Sequence, residues 1–418
     1  MAPAPPVGAG FFPLDEELGL AAGSLTPQLL EWLVRLAAWM PFARAVQLLE
    51  AITKVSVGKE TARRQTEQAG KLVEEEQDAQ ARRLMDVRQE VKQEQDEPAA
   101  RQVFSADGAM VPLVHGVWAE VKLLVVAQQA RDKEGRMQLV KPSYYARMVE
   151  AQDFADLALV ETRRRGLEDA RQVAAVTDGA VWLQGLIEVL CPQAVRILDF
   201  PHAAQRLSES AQEVQAAGTV LPDDWLKSQL HTLKHEEPAT MLATLRSWHK
   251  HDPNLEKVAE NLAYLEKREA QMQYWQYQAQ EWPIGSGMVE SGHKQVMQVR
   301  LKGPGMHWAP GNVNPMLALR TAVCNDRWDE TWQHQSLAVQ QRTHERRVAR
   351  IQQRVMAARR ALLALLTQRQ AVAPPPLPLK TRQAAVAVEP CASTSRRSAR
   401  PAATHPWRRR LLPPKKMS

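Results

Sequence analysis

The chain has 418 residues, 44% hydrophobic and 24% charged, so it can bury a sizeable core and exceeds the length at which a single core stays undivided. No apolar run nears the roughly 18 residues of a membrane span, and the start lacks the pattern of a signal peptide, which points to a soluble, cytoplasmic protein of two or three domains. The formal charge of +7 is uneven: residues 373–418 carry ten Lys or Arg against one acid, Glu389, a net +9 that leaves −2 for residues 1–372. Cys191, Cys324 and Cys391 are too few and too scattered for a disulfide framework or a thiolate metal site.

Residues 1–23 are rich in Pro and Gly and read as disordered. Ser24-Leu25-Thr26-Pro27 reads as a helix N-cap ahead of an apolar helix over 29–40, which Pro41 ends. A second helix is expected over 42–52, a turn over 53–58, and a third helix over 59–75 with Arg63 and Arg64 near its start. Helix, short turn and basic helix outline a helix-turn-helix, in which Arg63 and Arg64 would contact DNA; two packed helices with an exposed basic face give the same outline. Residues 76–97 are polar and helix-forming and complete this region, 24–98, as a linker helix.

The pattern then changes. Strands are expected over 102–114, 117–128 and 137–145, followed by helix 151–165, strand 173–178, helix 181–190 and strand 195–199. Three strands, then helix, strand, helix, strand, is the order of the α/β ribonuclease-H-like fold, whose first and fourth strands are parallel neighbours about 4.8 Å apart. Residues 99–202 would form the first part of that core, 203–284 an all-helical insertion, and 285–325 the end of the core. The C-terminal helix, 326–372, sets Val348, Ile351, Val355 and Leu362 on one face, expected to pack. Arg346, Arg350 and Arg354 follow at i, i+4 spacing on another, a solvated face or a phosphate track. The basic tail, 373–418, reads as disordered and suits a polyanion or no partner at all.

Two Asp-Gly-Ala tripeptides begin at Asp107 and Asp178, each after a strand-like run. Asp-Gly is the commonest hairpin dipeptide, so a plain turn is the simple reading of either. A helical pattern follows Asp178, however, and a carboxylate at the carboxyl end of a buried strand is where open α/β sheets keep their chemistry. Glu290, opening a helix after Gly285-Ser286-Gly287, completes an acidic triad; alone it reads as a first-turn Glu favoured by the helix dipole, and Glu281 and Glu330 are rivals. Two divalent ions about 3.5–4 Å apart can activate a hydroxyl and stabilise the leaving oxygen of a phosphodiester, and magnesium needs only a few carboxylates. His202 has no His or Cys partner at zinc-ligand spacing, and the expectation is that it orients Asp199 or the start of the helix after it.

Asp178-Gly179-Ala180 with Trp182-Leu183-Gln184, Ile197-Leu198-Asp199-Phe200-Pro201-His202, Pro283-Ile284-Gly285-Ser286-Gly287-Met288-Val289-Glu290-Ser291 and Arg300-Leu301-Lys302-Gly303-Pro304-Gly305-Met306-His307-Trp308 with Asn312-Val313-Asn314-Pro315-Met316 resemble the DDE transposases of bacterial insertion sequences of the Kra type. The resemblance runs from Trp39-Met40-Pro41-Phe42 to His405-Pro406-Trp407-Arg408-Arg409, and Asp199-x-x-His202 is also similar to an element of Mutator-like transposases. It implies Asp107 and Asp178 as first and second catalytic Asp, Glu290 as third acid, and two Mg2+ (or Mn2+) ions held by these three. It further implies DNA ends and target DNA as partners, a homodimer or larger active complex, and a bacterial, nucleoid-associated location. Asp199 and His202 are carried over as a supporting motif. Arg300 and Lys302 are then expected phosphate contacts, and His307 and Trp308 a packed loop or a wedge against a base. A non-transposing nuclease of the same fold and a DNA-binding regulator are the competing readings.

Overall fold

A computed structural model describes residues 25–87, 93 and 99–371; the expectations for the N-terminus, most of 88–98 and the basic tail with Cys391 lie outside these residues. Among the described residues the elements are α1 (Pro27–Trp39), α2 (Phe42–Thr53), α3 (Lys59–Val87), β1 (Arg101–Pro112), β2 (Trp118–Arg131), β3 (Met137–Arg147), α4 (Ala151–Arg164), β4 (Gln172–Thr177), α5 (Val181–Leu190), β5 (Val195–Leu198), α6 (Phe200–Ala216), α7 (Trp225–His235), α8 (Pro238–His251), α9 (Glu256–Glu266), α10 (Tyr274–Ala279), α11 (Gly287–Gly292), α12 (Val299–Leu301), α13 (Pro310–Cys324) and α14 (Trp328–Ala371). A π-helical stretch, His293–Gln298, joins α11 to α12. Chain contacts separate a unit ending at Val348 from one starting at Ala349.

The five strands form one mixed sheet in the order β3-β2-β1-β4-β5. β1–β2 and β2–β3 are antiparallel, and β1–β4 and β4–β5 parallel. Both faces are apolar because both are covered, as parallel strands require. On one face Phe104, Ala106, Leu124 and Val126 pack against Phe154, Ala158, Leu183 and Ile187 of α4 and α5. On the other the cover divides in two. Val111, Val121, Leu123 and Val125 meet α1, α3 and the 289–323 helices, while Val103, Ala174, Val176 and Ile197 meet the helices that run from α6 to α10. No strand occurs in that helical stretch among the described residues. Met288 of α11 packs against both halves.

Local chemistry accounts for the N-terminal helices. Thr26 Oγ1 accepts the Leu29 N–H at 3.3 Å and Pro27 occupies the first turn, so α1 starts where its capping residues sit. The third helix and the linker helix expected over 59–75 and 76–97 are one element, α3, which runs unbroken to Val87. Its Thr66, Ala69 and Val73 are buried, and a Cβ on Gly70 would stand 2.4 Å from the Pro315 carbonyl oxygen of α13. α3 is therefore a packed helix with one exposed face. Arg63 on that face is held by Glu60 and Glu67 of the same helix, and Arg64 is exposed.

In α14 the apolar stripe departs from expectation. Val348, Ile351, Val355 and Leu362 are 39%, 52%, 59% and 58% exposed, so among the described residues they are not packed into a core.

No helix among the described residues is long and apolar enough to cross a membrane.

Candidate active site

The two Asp-Gly-Ala tripeptides take different structures. β1 continues through Asp107-Gly108-Ala109 to Pro112, with Asp107 opposite Leu123 of β2, so this tripeptide is neither a hairpin turn nor a strand end. β4 stops at Thr177. Asp178 Oδ1 then accepts the Ala180 N–H at 2.8 Å, and Gly179 has φ +79°, which turns the chain from strand into α5. A side chain at 179 would also meet Arg268 Nε at 2.5 Å.

Register unites them. β1 pairs with β4 through Val103↔Ala174 and Phe104↔Ala175, and β4 with β5 through Val176↔Ile197 and Thr177↔Leu198. Carried beyond the last paired residues, the same offsets put Asp107, Asp178 and Asp199 on one row. The side-chain period of two assigns all three to the face of Val103, Val176 and Ile197. The last β4–β5 pair, Thr177↔Leu198, is closed by Asp199 N donating to Thr177 O at 2.7 Å, directly before the row of the three aspartates.

The three carboxylates nevertheless have different surroundings. Asp199 is buried, and both oxygens are occupied: Oδ1 accepts the Ser286 N–H at 2.6 Å, and Oδ2 accepts the His202 N–H at 3.3 Å and lies 2.6 Å from His202 Nδ1. It caps α6 and, with the Phe200 N to Ile284 O bond of 2.8 Å, pins the segment leading into α11. Asp107 and Asp178 are only partly buried. Asp107 Oδ1 accepts the Gly108 N–H at 2.7 Å, and Oδ2 lies 3.2 Å from Nε2 of the buried His293. The helical stretch grips the Asp178 loop by its main chain. Tyr264 donates its hydroxyl to the Asp178 carbonyl, Arg268 Nε donates to the Gly179 carbonyl at 2.8 Å, and the Arg268 guanidinium stacks on the Tyr264 ring.

Glu290 is exposed on α11, one turn before His293. Residues at i and i+3 share a helix face, so Glu290 lies on the side whose His293 ring reaches Asp107. Both rivals are engaged elsewhere. Glu281 pairs with Arg131 at the end of β2 that adjoins the start of β1, away from Asp107, and Glu330 pairs with Arg164. Among the described residues, no group of three or more His, Cys, Asp or Glu side chains is gathered as a metal cluster.

Arg300 is not a phosphate contact in this structure. Its guanidinium is buried, donates from Nε to Ala37 O at 2.7 Å, and lies over the rings of Phe42 and Trp308. Burial, helped by the charge of Arg320, lowers its pKa to about 10. Lys302 is half-buried, and His307 is exposed. Trp308 is a packed residue: Nε1 donates to Leu301 O at 3.1 Å, and its main chain bridges Leu113.

The sequence gives His293 away only through Glu290-x-x-His293, which helical spacing puts on one side; Tyr264 and Arg268 carry no local signal.

The Asp199–His202 pair sets a pH dependence. Burial pushes the Asp199 carboxyl up, but hydrogen bonds from His202 and Ser286 outweigh it and hold the pKa below its usual value. The Asp199 hydrogen bond raises His202 most, against burial, and the charges of Asp199, Asp178 and Asp107 add to it. A depressed Asp contributes stability above its unfolded pKa and loses it as pH falls through the folded one; a raised His contributes below its unfolded pKa and loses it as pH rises through the folded one. Both contributions are full between about pH 4 and 6.5. The Tm difference between wild type and His202→Gln should therefore be largest in that window and narrow at higher pH. A difference independent of pH would show that the ion pair does not stabilise the fold.

A family model matches residues 9–334, a stretch that takes in Asp107, Asp178, Asp199, His202, Glu290 and His293; the family is described as "Uncharacterised protein family (UPF0236)". No curated protein matches the chain.

Proposed function

The chain belongs to the uncharacterised protein family UPF0236, and for this member we propose a DDE transposase that cuts DNA at the ends of an insertion sequence and joins them to target DNA. The observation that carries this reading is the register of the parallel strands β1 and β4, whose offset, extended from the last pair Phe104↔Ala175, brings Asp107 of β1 level with Asp178 just past the end of β4. The sheet order β3-β2-β1-β4-β5 is that expected of a ribonuclease-H-like core, and the helical stretch between β5 and α11 takes the place of the insertion in the resembling transposases.

The donor chemistry suits a hard divalent cation. Asp107 and Asp178 are carboxylates, partly open to solvent, each fixed by one backbone N–H, and such a cation draws its remaining oxygens from water and substrate phosphates. Asp107 and Asp178, with Glu290 as third acid, would hold Mg2+ or Mn2+, which supplies activation of a water or a 3′-hydroxyl for in-line attack on a phosphodiester. Asp199 and His202 position: they fix the segment that delivers α11, and with it Glu290, over the sheet. Tyr264 and Arg268 position the Asp178 loop. His293 orients the Asp107 carboxylate. DNA contact falls to exposed cations such as Arg64, and Arg300 is excluded as long as it stays buried.

The test uses the full chain, the DNA flanking its gene on both sides, a target plasmid and Mg2+. Free 3′ ends and their covalent joining to the plasmid are expected. Cutting without joining would favour a nuclease, and binding without cutting would favour a regulator.

A further inference from the structure

We propose that Arg320 is a positioning residue of the acidic site: its buried guanidinium fixes the π-helical stretch 293–298, which sets where His293 and Glu290 stand relative to Asp107, and ties that stretch to the end of α1. This role rests on the reading of Asp107, Asp178 and Glu290 as a catalytic site. π-helical turns are rare and concentrate at functional sites. This one begins at His293, whose Nε2 lies 3.2 Å from Asp107 Oδ2 and whose Nδ1 lies 3.2 Å from Met297 Sδ within the same stretch. The helix before it is pressed on the sheet: a Cβ on Gly292 would stand 2.9 Å from Leu123 and from Val125, and Leu123 is the β2 partner of Asp107. A one-residue slip turns helical side chains by about 100°, enough to take His293 off Asp107.

Arg320 of α13 is fully buried, and among the described residues its guanidinium meets main-chain carbonyls and the Trp39 ring rather than a carboxylate. Nε donates to Val296 O at 3.2 Å and Nη2 to Gln295 O, both inside the π-helical stretch, while Nη1 donates to Ala38 O at 3.0 Å. The Ala38 carbonyl is among the last four of α1, which lack partners within the helix and favour a cation. A buried cation without a counter-charge is nevertheless an expensive cap. What a guanidinium does, and a neutral or single-headed side chain does not, is reach three carbonyls on two elements in fixed directions. Arg300 gives the contrast. It also caps α1, through Ala37 O at 2.7 Å, but its other contacts are the Phe42 and Trp308 rings. Of the two arginines, Arg320 is the one that grips the stretch carrying His293.

Hydrogen exchange on the full chain without DNA or metal, followed by cleavage kinetics, tests it. Arg320→Lys keeps the charge but not the fork, and Arg320→Met keeps only the bulk. In both, amides of residues 293–298 should exchange at least about tenfold faster than in wild type, with amides of β1 and β4 within about twofold. Arg300→Met should loosen the end of α1 and leave 293–298 near wild type. In DNA cleavage, Arg320→Lys should lower kcat at least about tenfold with KM for the DNA within about twofold, as expected of a residue that places reacting groups without touching the DNA. Unchanged exchange over 293–298, equal acceleration across β1 and β4, the same loosening in Arg300→Met, or a wild-type kcat in a chain whose 293–298 stretch is loosened would each overturn the role of Arg320. If Arg320→Met does not fold, Arg320→Lys decides alone. A wild type that cuts no DNA would defeat the proposed chemistry instead, and the exchange result then decides the anchoring by itself.

Discussion

Asp178→Ala should lower Mg2+-dependent DNA cleavage at least about a thousandfold, a barrier rise of about 4 kcal/mol, while DNA affinity stays within a few-fold of wild type. The change removes one carboxylate and little else. Among the described residues the carboxylate accepts the Ala180 N–H, whereas Tyr264 and Arg268 grip the loop through the main-chain carbonyls of Asp178 and Gly179, which alanine keeps. The variant should therefore fold with wild-type circular dichroism. Cleavage at wild-type rate would remove Asp178 from the site, and loss of DNA binding together with cleavage would mean the loop is structural.

The largest stability effect should come from Arg327→Met. Arg327 Nη1 and Nη2 donate to Glu161 Oε2 at 2.5 Å and Oε1 at 2.8 Å, and both side chains are nearly buried, so the pair ties α4 to the turn between α13 and α14. Removing one member leaves a buried charge without its partner, a loss of about 3–5 kcal/mol. Changing both, Glu161→Gln/Arg327→Met, should recover much of it because no lone charge remains. Urea unfolding of the three proteins separates these cases. A double variant as unstable as the single one would show that packing, not the stranded charge, sets the cost.

The strands and the helices between them were legible because their patterns are local: alternation or apolar runs bounded by Gly and Asp, then helical periodicity. α5, expected over 181–190, is observed as Val181–Leu190, and β5 differs from expectation by one residue. What was not legible depends on distant partners. Asp107-Gly108-Ala109 and Asp178-Gly179-Ala180 are the same tripeptide, yet one is drawn straight by its ladder with β2 and the other turns where β4 ends. Arg300 followed by Lys302 has the look of a phosphate contact, but the carbonyl that binds Arg300 belongs to Ala37, and the rings that cover it to Phe42 and Trp308. A basic helix after a turn suggests DNA recognition, yet Gly70 of α3 is set against α13, more than two hundred residues later in the chain. Periodicity showed that α14 carries an apolar stripe but not that the stripe is exposed among the described residues.

For the site itself, spacing and motif singled out Asp107, Asp178 and Glu290, and strand register supplies what a linear sequence lacks. Extended past its last pairs, it brings Asp199 level with the other two aspartates, and burial then separates them: Asp199 is buried with its oxygens held by Ser286 and His202, while Asp107, beside Gly108 N–H and His293, and Asp178, beside Ala180 N–H, are partly exposed.

The most direct test of the central claim, that Asp178 binds the catalytic metal, is Asp178→Cys assayed for DNA cleavage in Mg2+ and in Mn2+. A thiolate is a poor ligand for magnesium and a better one for softer transition metals. The account predicts no cleavage in Mg2+ and partial recovery in Mn2+, with no such recovery for Asp178→Ala. Equal cleavage by Asp178→Cys in both metals, or recovery of Asp178→Ala in Mn2+, would contradict it.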